Sequence, residues 1–149
     1  MTTEIRPARI EEIDELLELY QWLFAPPGAR PPRWDPERAG EALTEAISAD
    51  ESLVLAAAAE GELVGLCTAY LDLHSVRYGL RCWIEDLVVH GRFRSQGTGE
   101  RLIGDAGDWA REHGATHLEL DTGLARTDAQ RFYERLEPAT VGYSYSWAL

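Results

Sequence analysis

The spacing of apolar positions along the chain predicts an alternation of strands and helices. Helical spacing is clear at the start, where Ile10, Ile13, Leu16, Leu17 and Tyr20 recur every three or four residues. The same criterion predicts four helices, over 10–24, 37–49, 98–113 and 127–136. Alternating or continuously apolar runs predict six strands, over 3–6, 52–59, 62–73, 80–89, 116–121 and 141–148. The expected order is therefore β-α-α-β-β-β-α-β-α-β, in a single domain of residues 1–149.

This order predicts an α/β (α+β) fold with a mixed, mostly antiparallel central sheet. Strand 80–89, helix 98–113 and strand 116–121 form one βαβ crossover, so these two strands should be parallel. Segment 25–36 holds five prolines and should be an exposed loop. The glycines of the crossover follow RxxGxG rather than GxGxxG spacing, which argues against a Rossmann fold.

The loop between strand 80–89 and helix 98–113 has the pattern of a phosphate site. Its sequence, RSQGTG over 94–99, contains two closely spaced glycines and leads directly into the helix. Successive backbone N–H groups in such a loop converge on one point, with the positive end of the helix dipole behind them. Glycine lets a ligand approach the backbone closely.

The charge balance narrows the class of ligand. The net charge of −12 argues against binding to nucleic acid or to an anionic membrane surface. Residues 87–99 nevertheless contain no acidic side chain and include Arg92 and Arg94. An anion site within an acidic protein suggests an anionic cofactor and a cationic co-substrate, although the acidity could also serve only solubility.

Cysteine usage and the first residues predict a cytoplasmic protein. Cys67 and Cys82 form no CxxC motif, as expected for reduced, partly buried thiols. The start of the chain lacks the basic-then-apolar pattern of a signal peptide. The four histidines form no HxH or HxxxH pair, so no metal is expected.

Three motifs occur in a fixed order along the chain: IEDLVV over 84–89, RSQGTG over 94–99, and AQRFYERL over 129–136 after the next predicted strand. Together they resemble the GNAT superfamily of acyl-CoA-dependent N-acyltransferases. The opening IRPA over 5–8 is also similar to the family's first strand. The resemblance implies the GNAT fold over nearly the whole chain.

The resemblance also implies how acetyl-CoA would be held. Backbone amides of the loop would bind the pyrophosphate of coenzyme A beside Arg94, namely those of Ser95, Gln96, Gly97, Thr98, Gly99 and Glu100. Backbone groups of Leu87 and Val89 would pair with the pantetheine arm. The backbone N–H near Val88 would polarise the thioester carbonyl, as in an oxyanion hole.

Three side chains are candidates for proton transfer. Tyr133 matches the family's tyrosine that protonates the leaving thiolate, although it could instead only pack its helix onto the sheet. Strand alternation sends the adjacent Glu85 and Asp86 to opposite faces unless a bulge intervenes. Glu85 is the first candidate for the base, and Asp86 could equally be the base or fix a cationic substrate. Either could also be a structural hydrogen-bond acceptor.

Other positions concern the acceptor site and departures from the family. Trp34, in the proline-rich loop, and Tyr143, in the predicted last strand, are candidates to line an acceptor pocket. Arg126 stands where many members have an asparagine that contacts pantetheine, so this contact could be lost or replaced by a cation that reaches a phosphate. Leu136 is followed by Glu-Pro rather than the usual Gly-Phe.

We therefore expect an N-acetyltransferase that moves an acetyl group directly from acetyl-CoA to a primary amine, most simply that of a small molecule. A protein N-terminus or lysine is an alternative acceptor. A non-catalytic acyl-CoA sensor or interaction module, and a nucleotide-binding transferase, are rival interpretations. Homodimers are common among similar proteins, but no sequence feature defines an interface.

Overall fold

The computed structural model describes residues 2–149, which contain four α-helices and five strands. The strands are β1 (Glu4–Pro7), β2 (Ser52–Ala59), β3 (Glu62–Ser75), β4 (Gly79–Val89) and β5 (His117–Glu119). The helices are α1 (Ile13–Phe24), α2 (Pro36–Ser48), α3 (Thr98–Glu112) and α4 (Thr127–Arg135), with short 3₁₀ turns at Ile10–Glu12 and Gly91–Phe93. These bounds lie close to the predicted ones for every helix. None of the described helices is long and apolar enough to cross a bilayer.

The five strands form one mixed sheet in the order β1-β2-β3-β4-β5. All neighbours are antiparallel except β4 and β5, which are parallel and are connected by α3. The predicted mixed sheet with one parallel crossover is therefore confirmed. The strands β4 and β5 pair at only three positions, so they lie side by side only over the first part of β4.

Helices cover both faces of the sheet, and each face has its own apolar core. Alternate residues of β2 illustrate the division: Leu55 and Ala57 pack toward α3, whereas Val54 and Ala56 pack toward α1 and α2. The α3 side is filled by Leu102, among others, and the opposite side by Leu16. The helix α2 begins where Asp35 accepts a hydrogen bond from the Glu37 N–H at 3.0 Å, with Pro36 in the first turn.

The predicted last strand, 141–148, is wrong. Residues 137–149 form no regular secondary structure, and every one of them is exposed. The apolar alternation is that of a strand, but within residues 2–149 no neighbouring strand pairs with this segment. A strand needs such a partner for its backbone hydrogen bonds. The fifth strand is also shorter than predicted, His117–Glu119 instead of 116–121.

Candidate active site

The strand β4 is paired on one side only over its second half. Its pairing with β5 ends at Trp83 and Glu119, so 84–89 faces a gap on that side. On the other side, β3 pairs with β4 up to Gly65 and Val89. This half-free strand leads into the loop before α3. The strand and the loop together are the place where the sequence predicts the chemistry.

The register decides which backbone groups of β4 face the gap. The His90 N–H donates to the Val64 carbonyl at 2.8 Å, and Val88 lies opposite Leu66. Since antiparallel pairs alternate between bonded and non-bonded, the Val88 N–H is also directed at β3. The Val88 N–H itself therefore faces away from the gap, and the predicted donor near Val88 would have to be a neighbouring N–H. The N–H groups facing the gap are those of Leu87 and Val89.

The loop 94–99 forms a cradle at the start of α3. Ser95 and Gly97 have φ angles of +62° and +83°, in the left-handed region, and no side chain caps the helix. A Cβ on Gly97 would meet no atom within 4 Å, so open space lies in front of this backbone. Uncapped N–H groups at a helix start attract anions. The predicted loop residues are exposed here or half-buried, except Thr98, which is buried.

Arg94 is held beside this cradle. Its Nε donates to the Val89 carbonyl at 3.1 Å, and its guanidinium lies 5.8 Å from the Trp22 ring centroid. The other basic residue of the segment, Arg92, pairs instead with Glu60 and Glu62. Of these two arginines, Arg94 is therefore the one placed to add positive charge next to the loop.

A second glycine fixes the position of α4. A Cβ on Gly99 would lie 3.2 Å from the Phe132 ring, so the aromatic ring packs directly on the α3 backbone. Tyr133 follows Phe132 and is therefore held at the same junction, with the two ring centroids 5.2 Å apart.

The hydroxyl of Tyr133 is available as a proton donor. It forms no hydrogen bond with the described residues, although Tyr133 is half-buried. Burial raises the pKa of Tyr133, the nearby Cys67 adds to this, and Arg126 opposes it. The phenol therefore stays protonated at neutral pH, as its predicted role requires.

Arg126 does not face the loop as expected for a phosphate ligand. Its Nη2 donates to the Leu23 carbonyl at 2.8 Å, near the last turn of α1. A Cβ on Gly28 would collide with both partners, so this glycine leaves room for the guanidinium. Arg126 thus ties the segment before α4 to the α1–α2 connection, and the phosphate contact finds no support in this geometry.

A β-bulge brings the two adjacent carboxylates together. Thr68 pairs with Asp86 and Ala69 with Ile84, which leaves Glu85 without a partner on β3. Both Glu85 and Asp86 consequently line one cavity of about 360 Å³ between the sheet and helices α1 and α2. The sequence left this possibility open, and the register settles it.

Asp86 is fixed by hydrogen bonds within this cavity. The Tyr20 hydroxyl donates to its Oδ2 at 2.7 Å, and Thr68 Oγ1 donates to the same atom at 3.3 Å. The Asp86 N–H in turn donates to Thr68 Oγ1 at 3.0 Å. Burial raises the pKa of Asp86, while these two donors partly offset the increase.

Glu85 has a more open environment. Its side chain is exposed and forms no ion pair with the described residues. Partial burial and the neighbouring Asp86 raise the pKa of Glu85, and the Trp83 indole opposes this. An exposed carboxylate with a raised pKa and no ion pair suits proton abstraction better than one held by two donors.

Aromatic and aliphatic side chains form the rest of the cavity wall. Trp34 lines it, and its ring centroid lies 4.8 Å from that of Phe24 and 5.6 Å from that of Tyr20. Its predicted role in acceptor binding stays a prediction. Tyr70 completes the wall from β3. Tyr143, by contrast, is 79% exposed and lies outside the lining found among residues 2–149, so its predicted substrate role has no support.

Sequence reasoning treated Tyr20 as a core position of α1 and did not single out Tyr70. The signal for Tyr20 was a hydroxyl on an apolar helix face, which requires a buried hydrogen-bond partner.

A second groove of about 360 Å³ continues past Tyr70 and is lined by carboxylates of Glu45, Glu51 and Asp72. No group of three potential ligands among the described residues could hold a metal ion.

The sequence profile described as the acetyltransferase (GNAT) family matches residues 13–137. The chain belongs to this family. It is 39% identical over 89 residues to the N-acetyltransferase YhdJ of Bacillus subtilis, covering 60% of this chain and 63% of that protein. It is 37% identical over 75 residues to an aminoalkylphosphonate N-acetyltransferase of Salmonella typhimurium, covering 50% of this chain and 49% of the relative. The matched region therefore spans 63% of the first relative and 49% of the second, less than two thirds of either.

Solved structures of this family share the whole fold. The structure of AAC(6')-Iy in complex with a bisubstrate analogue, CoA-S-monomethyl-acetylneamine, superposes with a TM-score of 0.84. It covers 100% of this chain and 99% of that chain at 18% identity. At this identity the likeness shows the GNAT fold, and the chemistry has to follow from the residues described above.

Proposed function

We propose that the protein is an acyl-CoA-dependent N-acyltransferase that moves an acetyl group from acetyl-CoA to a primary amine of a small cationic molecule. The observation that carries this proposal is the bulge at Glu85, which places two carboxylates in one cavity beside the half-free strand β4. Family membership supports the reaction type.

The chain has the groups needed to hold the cofactor. The uncapped start of α3 and Arg94 suit the pyrophosphate, and the gap beside 84–89 suits an extended pantetheine arm. Bound there, acetyl-CoA supplies the activated acetyl group as a thioester. AAC(6')-Iy, which shares the fold, has been solved in complex with CoA.

Four residues have separate roles in the proposed reaction. Asp86, fixed by Tyr20, holds the charge of a cationic acceptor, and Glu85 accepts the proton that the attacking amine loses, directly or through water. The Leu87 N–H, which faces the gap, donates to the carbonyl oxygen as it gains negative charge. Tyr133 donates its proton to the departing sulfur and recovers it from solvent.

The cavity favours a small acceptor. It is bounded by aromatic rings and two carboxylates, a lining that suits an amine with an apolar body. Similar proteins are an aminoalkylphosphonate N-acetyltransferase and an aminoglycoside N(6')-acetyltransferase of Serratia marcescens, the latter 35% identical over 54 residues.

The decisive experiment is a thiol-release assay with acetyl-CoA against grouped small amines, aminoglycosides and peptides. We expect turnover with one group of small amines. Tyr133→Phe should lower kcat by about 100-fold without changing acetyl-CoA affinity, because general acid catalysis contributes about 10²–10⁴-fold. The matched control is Tyr78→Phe, at an exposed position outside the cavity.

Other outcomes would replace the proposal. Binding of acetyl-CoA without turnover on any amine would indicate a sensor. Turnover on peptides alone would indicate a protein acetyltransferase. A larger rise in Tm with ATP or NAD than with acetyl-CoA would indicate a different phosphate ligand.

A further inference from the structure

Two cavities of the same size lie side by side on the face of the sheet that α1 and α2 cover. The cavity at Glu85 and Asp86 and the second groove each measure about 360 Å³. Among residues 2–149, Tyr70 of β3 and Ala42 of α2 are the two that line both spaces. These two side chains therefore form the boundary between the spaces, and Tyr70 is much the larger of the two.

Strand alternation and pairing explain why a large ring stands at this boundary. Thr68, which donates to Asp86, and Tyr70 are two residues apart on β3, so both side chains project from the same face. The residue of β2 that pairs with Tyr70 is Ser52, whose small side chain lines the second groove. A large ring beside a small side chain leaves open space beyond the ring, and the second groove occupies that space.

The Tyr70 side chain is an uncharged end of the first cavity. Burial raises the pKa of Tyr70, and the nearby carboxylates of Asp86 and Glu85 raise it further. The hydroxyl is therefore protonated at neutral pH. A cationic amine that is held by Asp86 consequently meets an aromatic ring on this side of the cavity.

The space beyond Tyr70 differs in character from the aromatic cavity. Glu45 and Glu51, which are both exposed, line the second groove with carboxylates. A third carboxylate, that of Asp72, is already paired with Arg81 at 2.9 Å. Removing the ring of Tyr70 would therefore join the apolar cavity to an open, acidic groove of equal volume.

We propose that Tyr70 sets the maximum length of the acceptor, so that the substrate is a compact primary amine whose body ends at the Tyr70 ring. This inference rests on the proposed function, because it takes the cavity at Glu85 and Asp86 as the acceptor site. The volume of about 360 Å³ is near the lower end of the roughly 300–1,000 Å³ of ligand sites. Because Ala42 contributes only a methyl group, the size of the Tyr70 side chain determines where the cavity ends.

The test is the affinity of the full chain for unbranched primary monoamines, from ethylamine to decylamine, measured by ligand-observed NMR. In the parent protein, we expect the affinity to rise by about fourfold per methylene group and to fall once the amine is long enough to meet Tyr70. In Tyr70→Ala the fall should disappear, so the affinity keeps rising for longer amines. Tyr70→Phe keeps the ring and should keep the parent limit.

A second variant approaches the same boundary from α2 and does not remove a packed ring. Ala42→Leu adds bulk at an exposed helical position that lines both spaces, so it should move the limit to shorter amines. Thr44→Leu is the matched control, at an exposed position of α2 that lines neither space. Far-UV circular dichroism establishes which variants are folded. An unfolded protein cannot produce limits that shift in opposite directions.

Three results would overturn the inference. The first is an affinity that rises without limit in the parent protein, which would show that the amine leaves through the open side of the cavity. The second is an unchanged limit in every folded variant of the boundary, and the third is no binding by any amine of the series. A limit that shifts as expected, without acetyl transfer from acetyl-CoA to any amine, would instead contradict the proposed function and leave Tyr70 as the length limit.

Discussion

Replacing Tyr20 by phenylalanine should separate the roles of the two adjacent carboxylates. The Tyr20 hydroxyl donates to Asp86 Oδ2 at 2.7 Å, and it is the shorter of the two side-chain hydrogen bonds to this oxygen. A hydrogen bond to a charged group contributes about 1.5–3 kcal/mol. Its loss disfavours the ionised form of Asp86, whose pKa burial already raises.

The assay is the pH dependence of KM for the amine and of kcat. At 1.36 kcal/mol per pH unit, the lost bond should move the acidic midpoint of the KM profile upward by about one to two pH units. The acidic limb of kcat should not move upward, because in the proposed mechanism it reports Glu85. When Asp86 is neutral in a larger fraction of molecules, it repels the Glu85 carboxylate less. Because this repulsion raises the pKa of Glu85, that pKa can then only fall.

Stability gives an independent check of the same bond. Since the folded pKa of Asp86 is raised, its contribution to stability is present below the unfolded pKa and is lost as pH rises through the folded pKa. Tyr20→Phe should therefore lower Tm mainly at neutral pH, by roughly 4–8 °C for about 2 kcal/mol, and less in acid. Tyr78→Phe, at an exposed position, is the matched control.

In the kinetic assay, an upward shift of the acidic kcat limb equal to that of the KM midpoint would refute the assignment. It would make Asp86 the base.

Three further substitutions test the loop, the packing of α4 and the segment before α4. Gly97→Asp should weaken CoA binding more than about tenfold by calorimetry, since the left-handed backbone alone costs a Cβ-bearing residue about 1–2 kcal/mol; Gly104→Asp, on an open part of α3, should not. Gly99→Ala should displace the aromatic ring of α4 that packs on the α3 backbone, and it should lower kcat by up to about 100-fold. Gly104→Ala is the control. An unchanged kcat would mean that this packing does not position the acid. Arg126→Met should cost about 1–3 kcal/mol of stability with CoA affinity unchanged, unlike the exposed Arg131→Met; a loss of CoA affinity would restore the phosphate role.

The sequence alone predicted the elements that are defined by a regular apolar pattern within their own segment. The helix α3 has both a long amphipathic pattern and a glycine loop before it, and its predicted bounds differ from the structure by one residue. The parallel crossover followed from the order of elements and the handedness rule. Trp34 could be placed because its loop could not be helical.

The misplaced details depend on register, which no single strand encodes. The alternation of β4 alone sends Glu85 and Asp86 to opposite faces, and only the pairing with β3 reveals the bulge that brings them together. The same pairing turns the Val88 N–H toward β3. The strand predicted over 141–148 failed for a related reason, since the pattern describes a face and says nothing about which partner covers it.

The half-free strand β4 also makes the sheet depend on its ligand. The N–H groups of Leu87 and Val89 have no partner strand on the gap side, so they should exchange with deuterium freely until an extended ligand arm fills the gap. Such a ligand stabilises the native state by an amount that rises with its concentration above Kd. In a cell, the supply of acyl-CoA would then govern the lifetime of the protein against proteolysis as well as its rate of turnover.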